Sequence, residues 1–124
     1  MIRILLAEDN EAMRIYLARA LEQAGYTVVA VADGAAAVPY LENERFDLLL
    51  SDIVMPEIGG IELARHCERV SAGTKIILIT GFAAVSLRAA RDAPEAKLLS
   101  KPFHLRELVS TVSAMFDRRT EQSG

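Results

Sequence analysis

Residues 46–52 read FDLLLSD, an apolar run that ends in a hydroxyl and a carboxylate. Its three consecutive leucines do not alternate with polar residues, which is typical of a strand buried on both faces of a parallel sheet. Similar short runs recur at wide spacing along the chain. Five strands are therefore predicted, at Ile2–Ala7, Thr27–Ala32, Phe46–Leu50, Lys75–Ile79 and Lys97–Leu99.

The segments between these strands have helical periodicity. Apolar residues from Met13 to Ala24 recur at intervals of three and four, which forms one stripe of a helix that Gly25 is expected to end. Comparable stripes predict helices over residues 60–70 and 105–116. Pro39 predicts that the helix within residues 34–41 is short, kinked or starts late. A further helix is predicted over residues 82–93.

Strand and helix thus alternate five times, which predicts an α/β fold with an open parallel sheet and helices on both faces. A closed eight-stranded barrel would need about twice this length. The 124 residues fit one domain, expected over residues 1–117, followed by a polar tail over residues 118–124.

Composition excludes several classes of protein. The chain is 52% hydrophobic and 25% charged, which is typical of a folded globular domain. The net charge of −3 argues against a nucleic-acid-binding protein, and no apolar run approaches the ~20 residues of a membrane span. The single cysteine, Cys67, excludes an intramolecular disulfide framework. With no export signal in the sequence, we expect a cytoplasmic location.

Polar side chains follow the predicted strands where those strands end. They are Glu8, Asp9, Asp52, Thr80 and Lys101. Because open α/β sheets bind ligands beyond the carboxyl ends of their strands, we expect these side chains to lie together at one edge.

The chemistry of this set favours a metal-assisted phosphoryl site. Three neighbouring carboxylates repel each other unless a cation is present, and hard oxygen ligands select Mg²⁺. Lys101 and the metal would attract a dianionic group. Asp52 is the natural nucleophile, since a carboxylate can form an aspartyl phosphate, and Thr80 could donate a hydrogen bond to the phosphoryl group.

Each residue also has an ordinary structural interpretation. Asp9 or Asn10 could be the N-cap of the first helix, Asp52 could be a turn residue, and Lys101 could be a solvated lysine before a proline. These interpretations do not explain why all the groups fall at the same sheet edge. The joint arrangement therefore favours a functional site.

The same residues carry a resemblance to response-regulator receiver domains over nearly the whole chain. Glu8 and Asp9 match the family's acidic pair, Asp52 matches its phosphoacceptor within Asp-x-x-Met-Pro, and Thr80 and Lys101-Pro102 match its later motifs. The resemblance implies a flavodoxin-like (βα)5 fold with strand order 2-1-3-4-5 and a cis bond before Pro102.

The resemblance also implies the metal ligands and the partners. Mg²⁺ would be bound by Asp9, Asp52 and the backbone carbonyl of Val54, with Glu8 assisting. The phosphoryl group would come from a histidine kinase or a histidine phosphotransferase. Phosphorylation would then switch binding to another protein.

Two segments resemble, more narrowly, the CpdR-type stand-alone receivers of alphaproteobacteria. They are ITGFAAV at residues 79–85 and LSKPFHLREL at residues 99–108. This resemblance implies that the unphosphorylated form is an adaptor that delivers substrates to a ClpXP-type protease. It also implies that a histidine phosphotransferase docks near the first helix.

The expected switching surface comprises the fourth helix, the fifth strand and the fifth helix, and includes Phe82, Leu98, Phe103 and Arg106. Many receivers carry an aromatic residue three positions before the lysine, where this chain has Leu98. We therefore expect the change to travel through displacement of the loop and the fourth helix.

Two other classes of function remain as alternatives. A small Mg²⁺-dependent phosphatase or phosphotransferase could use the same aspartyl phosphate, but it would need a general acid or base and a substrate pocket. A flavodoxin-like cofactor binder would need a phosphate-binding loop after the first strand. Glu8 and Asp9 occupy that place and would repel a phosphate.

Overall fold

Five parallel strands alternate with five helices in the computed structural model, which describes residues 1–117. The strands are β1 Arg3–Ala7, β2 Thr27–Val31, β3 Leu48–Asp52, β4 Lys75–Thr80 and β5 Lys97–Ser100. The helices are α1 Glu11–Gln23, α2 Gly34–Asn43, α3 Gly60–Val70, α4 Ala83–Asp92 and α5 Leu105–Met115. The predicted polar tail at residues 118–124 lies outside the described residues.

The strand order is β2-β1-β3-β4-β5, and every neighbouring pair is parallel. The predicted α/β fold and the order implied by the family resemblance are both confirmed. The strands end in register, with Asp52 opposite Ile79 and Thr80 opposite Ser100. The residues at their carboxyl ends therefore share one edge of the sheet.

Alternation along the strands builds a separate core on each face of the sheet. Leu5, Leu49 and Leu78 pack on the face covered by α2, α3 and α4. Their neighbours Leu6 and Leu50 pack on the opposite face, which α1 and α5 cover. Two buried faces explain why the strand sequences contain consecutive apolar residues.

The other four strands agree with their predicted bounds to within one residue, whereas β3 and the start of α2 differ from the prediction. β3 runs from Leu48 to Asp52 rather than from Phe46 to Leu50, because its pairing with β4 continues to Asp52. The α2 helix does not start late: the Asp33 side chain accepts a hydrogen bond from the Ala36 amide, which caps a ten-residue helix that contains Pro39. Among residues 1–117, no helix has the length and apolarity needed to cross a bilayer.

Candidate functional site

Three carboxylates meet at the carboxyl ends of β1 and β3. Each of Glu8, Asp9 and Asp52 offers an oxygen, and these oxygens all lie within 4.8 Å of one another. Glu8 and Asp52 are buried, whereas Asp9 is exposed. The three acidic residues singled out in the sequence are therefore brought together.

The start of α1 leaves the Asp9 carboxylate available to this cluster. The Asn10 side chain caps the helix by accepting a hydrogen bond from the Met13 amide over 2.9 Å. Of the two capping residues considered above, Asn10 is thus the one used. One turn later, the Arg14 guanidinium donates to the Glu8 carbonyl over 3.0 Å and ties α1 to the acidic turn.

Glu8 has the most perturbed environment in the cluster. Burial raises the pKa of its carboxyl to about 7, and the negative charge of Asp52 adds to the effect. Its Oε2 atom is buried and has no hydrogen-bond partner among the described residues. A buried carboxylate oxygen without a partner, beside two further carboxylates, fits a hard divalent cation such as Mg²⁺.

Lys101 supplies a positive charge to the same cluster. Its Nζ atom donates to Asp52 Oδ2 over 3.0 Å, and the Lys101-Pro102 bond is cis, as the resemblance implied. Partial burial alone would lower the pKa of the ammonium group. The hydrogen bond to Asp52 and the charge of that carboxylate outweigh this effect and raise the pKa above its ordinary value.

The loop after β3 closes tightly around Asp52. The Val54 amide donates to Asp52 Oδ1 over 3.3 Å, which brings the Val54 peptide to the carboxylate. A Cβ atom on Gly60, the first residue of α3, would collide with the backbone carbonyl of Asp52. Only glycine lets α3 begin this close to the strand.

Thr80 lies at the same edge, but its hydroxyl contacts α4. Thr80 is buried, and its Oγ1 atom lies 2.7 Å from Ser86 Oγ and 3.2 Å from the Phe82 carbonyl oxygen. Neither partner belongs to the carboxylate cluster. Sequence reasoning missed both Ser86 and Arg14; the only signal for Ser86 was a hydroxyl in the first turn of the helix after Thr80.

The residues predicted for the switching surface differ in exposure. Phe82 is 68% exposed and Arg106 is exposed. Leu98 and Phe103 are half-buried and pack against the cores on opposite faces of the sheet. Phe82 and Arg106 are therefore open to a partner, whereas Leu98 and Phe103 contribute mainly to packing.

Comparison with known proteins matches residues 4–113 to the family model described as response regulator receiver domain. The response regulator receiver protein CpdR of Brucella abortus is 56% identical over 93% of this chain and 97% of CpdR. The sensor kinase CckA of the same organism is 37% identical over 94% of this chain, which spans only 13% of CckA.

A similar solved structure is a complex with magnesium. The response regulator TrrA of Thermotoga maritima, crystallised in complex with Mg²⁺-BeF, has a TM-score of 0.84 and 29% identity. The alignment covers 94% of this chain and 100% of the TrrA chain. With a family model over residues 4–113 and a CpdR relative matched over almost its whole length, the chain belongs to the response regulator receiver domain family of two-component signalling proteins.

Proposed function

We propose that this protein accepts a phosphoryl group on Asp52 and that phosphorylation switches its binding to another protein. The observation that carries the proposal is the position of Lys101 Nζ, 3.0 Å from Asp52 Oδ2 within the three-carboxylate cluster. A carboxylate with a fixed ammonium neighbour and a cation-binding cluster can accept a dianionic group that it would otherwise repel.

The proposed phosphoryl transfer forms one bond to phosphorus and breaks another. An Asp52 oxygen bonds to the phosphorus of a phosphohistidine, the phosphorus–nitrogen bond breaks, and the histidine ring leaves with the bonding electron pair. Mg²⁺, held by Glu8, Asp9, Asp52 and the Val54 carbonyl, would neutralise charge on the phosphoryl oxygens. The Lys101 ammonium, already at the carboxylate, would bind one of these oxygens, and the Thr80 hydroxyl would bind another.

The donor would be a histidine kinase or a histidine phosphotransferase that docks beside α1. A depression of about 400 Å³ lies next to the cluster and is lined by residues that include Glu8, Tyr16 and Lys101. Tyr16 is 58% exposed at its rim. An exposed aromatic ring that lines the same depression as Lys101 supports a protein donor at this face.

The output would be a protein–protein contact through the surface that includes Phe82 and Arg106. Similarity to CpdR over nearly the whole relative supports an output of the CpdR type. We propose that the unphosphorylated protein is a cytoplasmic adaptor that delivers substrates to a ClpXP-type protease. In this function the chain is a signalling protein rather than an enzyme, since its own phosphoryl group is the signal.

Intact-protein mass spectrometry tests the acceptor. Incubation with Mg²⁺ and a phosphorylated histidine phosphotransferase should add about 80 Da, the mass of one phosphoryl group, to the wild-type protein. Asp52→Asn should gain nothing. Glu57→Gln removes an exposed carboxylate from the same loop and should gain the full mass.

Two results would contradict the proposal. A gain of mass by Asp52→Asn would assign a different acceptor. Repeated turnover of a small phosphorylated substrate, with no accumulation of the phosphorylated protein, would instead favour the phosphatase alternative.

A further inference from the structure

The Thr80 hydroxyl belongs to a small hydrogen-bonded triangle at the start of α4. Thr80 Oγ1 lies 2.7 Å from Ser86 Oγ, and these two hydroxyls lie 3.2 Å and 3.1 Å from the carbonyl oxygen of Phe82. The triangle connects the end of β4 to the first turn of α4.

Both hydroxyl protons are used inside this triangle. The Phe82 carbonyl can only accept, so one hydroxyl donates to it and the other donates to that first hydroxyl. Whichever hydroxyl is the donor in the Thr80–Ser86 contact, the Thr80 proton already makes a hydrogen bond, either to Ser86 Oγ or to the Phe82 carbonyl oxygen. It must leave the triangle before it can reach a phosphoryl oxygen near Asp52.

We propose that Ser86 is a positioning residue that holds the Thr80 hydroxyl toward α4 and thereby opposes its use by the phosphoryl group. The inference rests on the proposed function, because it concerns the same phosphoryl site. When Thr80 turns to the phosphoryl oxygen, Ser86 keeps its own bond to Phe82 and loses only its bond to Thr80. Ser86 therefore sets how readily the site responds to phosphorylation.

The same bond links the site to the first turn of α4. The Ser86 backbone amide also donates a hydrogen bond to the Phe82 carbonyl. Phe82 is the N-cap residue of α4, and its side chain makes no capping hydrogen bond. Ala89 is the only buried residue of α4. A helix with one buried residue and an uncapped start is weakly anchored, so loss of the Thr80–Ser86 bond can loosen the turn beside the exposed Phe82 ring.

A double-mutant cycle with a phosphoryl mimic tests the inference. The melting temperature of each variant is measured at increasing beryllofluoride concentration and constant Mg²⁺ concentration. The increase in melting temperature gives the affinity of that variant for the mimic. In Ser86→Ala the Thr80 hydroxyl keeps only its longer contact, 3.2 Å to the Phe82 carbonyl oxygen, so it is held toward α4 less tightly. Ser86→Ala should therefore bind the mimic more tightly than the wild type, by less than the roughly tenfold that a full hydrogen bond between neutral groups contributes. Ser86→Thr keeps a hydroxyl and should bind the mimic as the wild type does.

The second side of the cycle uses Thr80→Val, which removes the hydroxyl and keeps the shape of the side chain. In this background Ser86→Ala should have no effect on the affinity. Ser110→Ala, at an exposed position of α5, controls for the higher helix propensity of alanine and should leave the affinity unchanged. In the protein without ligand, the NMR resonance of the Thr80 methyl group should shift in Ser86→Ala and stay in place in Ser110→Ala.

The outcomes separate this inference from the proposed function. A wild-type protein that does not bind the mimic would overturn both. If the wild type binds and Ser86→Ala binds with equal or lower affinity, only the role of Ser86 is overturned. An equal gain with and without the Thr80 hydroxyl would also overturn it, because Ser86 would then act through the helix and not through Thr80.

Discussion

Lys101 Nζ lies 3.0 Å from Asp52 Oδ2, although 49 positions separate the two residues in the chain. The contact joins the end of β3 to the segment after β5 across the carboxyl edge of the sheet. It gives the cluster of Glu8, Asp9 and Asp52 a positive charge before any phosphoryl group arrives. Lys101 is therefore both a counter-ion for the free site and the expected ligand of the phosphorylated site.

Replacing Lys101 by methionine should separate these two roles. Lys101→Met should lower the free energy of unfolding by about 1 kcal/mol, the upper range for a partly exposed ion pair. Urea titration without metal measures this loss, which Mg²⁺ should reduce because it neutralises the same carboxylates. The fold should stay intact, but phosphorylation should no longer change partner binding. Lys97→Met, at the exposed start of β5, is the matched control.

The raised pKa of Glu8 predicts a pH dependence of stability in the protein without metal. The folded state holds the Glu8 proton up to about pH 7, whereas the unfolded chain releases it near 4.5. The free energy of unfolding should therefore fall as the pH rises through this window, by about 1 to 3 kcal/mol at ~1.4 kcal/mol per pKa unit. Thermal melts from pH 4.5 to 8 measure the change.

Comparison with Glu8→Gln separates the contribution of Glu8 to the pH dependence of stability from the contributions of the other titrating groups. The difference in unfolding free energy between wild type and variant should shrink or reverse in Mg²⁺, since the cation binds the ionised carboxylate. The assignment to Glu8 fails if the variant loses stability with pH as steeply as the wild type does.

The sequence was sufficient for the sheet because its strands are buried on both sides. Leu48, Leu49 and Leu50 enter opposite cores in turn, so an uninterrupted apolar run identifies such a strand without further information. The convergence of Glu8, Asp52 and Lys101 followed from the parallel topology alone. Their spacing along the chain carried no local signal.

Details set by contacts between distant segments could not be predicted in this way. The end of β3 depends on how far β4 pairs with it, and the start of α2 depends on the Asp33 cap, six positions before Pro39. The Thr80–Ser86 bond depends on the direction in which α4 leaves the sheet. Hydrophobic periodicity reports burial and does not specify such hydrogen bonds.

One loop residue adopts a conformation that its side chain disfavours. Glu57 has a φ of 63°, in the left-handed region. It is exposed, so no packing requires a glutamate there. Glu57→Gly and Glu57→Asn should each raise the free energy of unfolding by about 0.5 to 1 kcal/mol, because glycine and asparagine adopt this region more easily. Urea titration measures this gain in the free energy of unfolding. Glu57→Val should instead be less stable than the wild type, because a β-branched residue is strongly disfavoured at positive φ. Equal stability of all three variants would contradict backbone strain at Glu57.

The proposed switch predicts different affinities in the two phosphorylation states. Isothermal titration of the output partner, for which a ClpXP-type protease is proposed, should give tighter binding to the free protein than to the beryllofluoride-bound protein. Coupling of this kind is typically about five- to 150-fold. Equal affinity in both states would rule out the switch, and tighter binding by the loaded state would reverse its sign.

The donor and the output partner should use different faces of the molecule. Tyr16 on α1 is 58% exposed and borders the depression beside Lys101, whereas Phe82 is 68% exposed at the start of α4. Each ring is a candidate anchor for its own partner, and loss of an aromatic anchor commonly costs about 2 kcal/mol or more, over tenfold in affinity.

Two alanine variants test this division, since each is the control for the other. Tyr16→Ala should weaken binding of the histidine phosphotransferase and slow phosphoryl transfer, yet leave the affinity for the output partner unchanged. Phe82→Ala should weaken binding of the output partner and accept the phosphoryl group at the wild-type rate. Because Asp52 and Lys101 are intact in both variants, small phosphodonors should label both proteins as fast as the wild type. Loss of both activities in either variant would show that donor and output partner compete for one face.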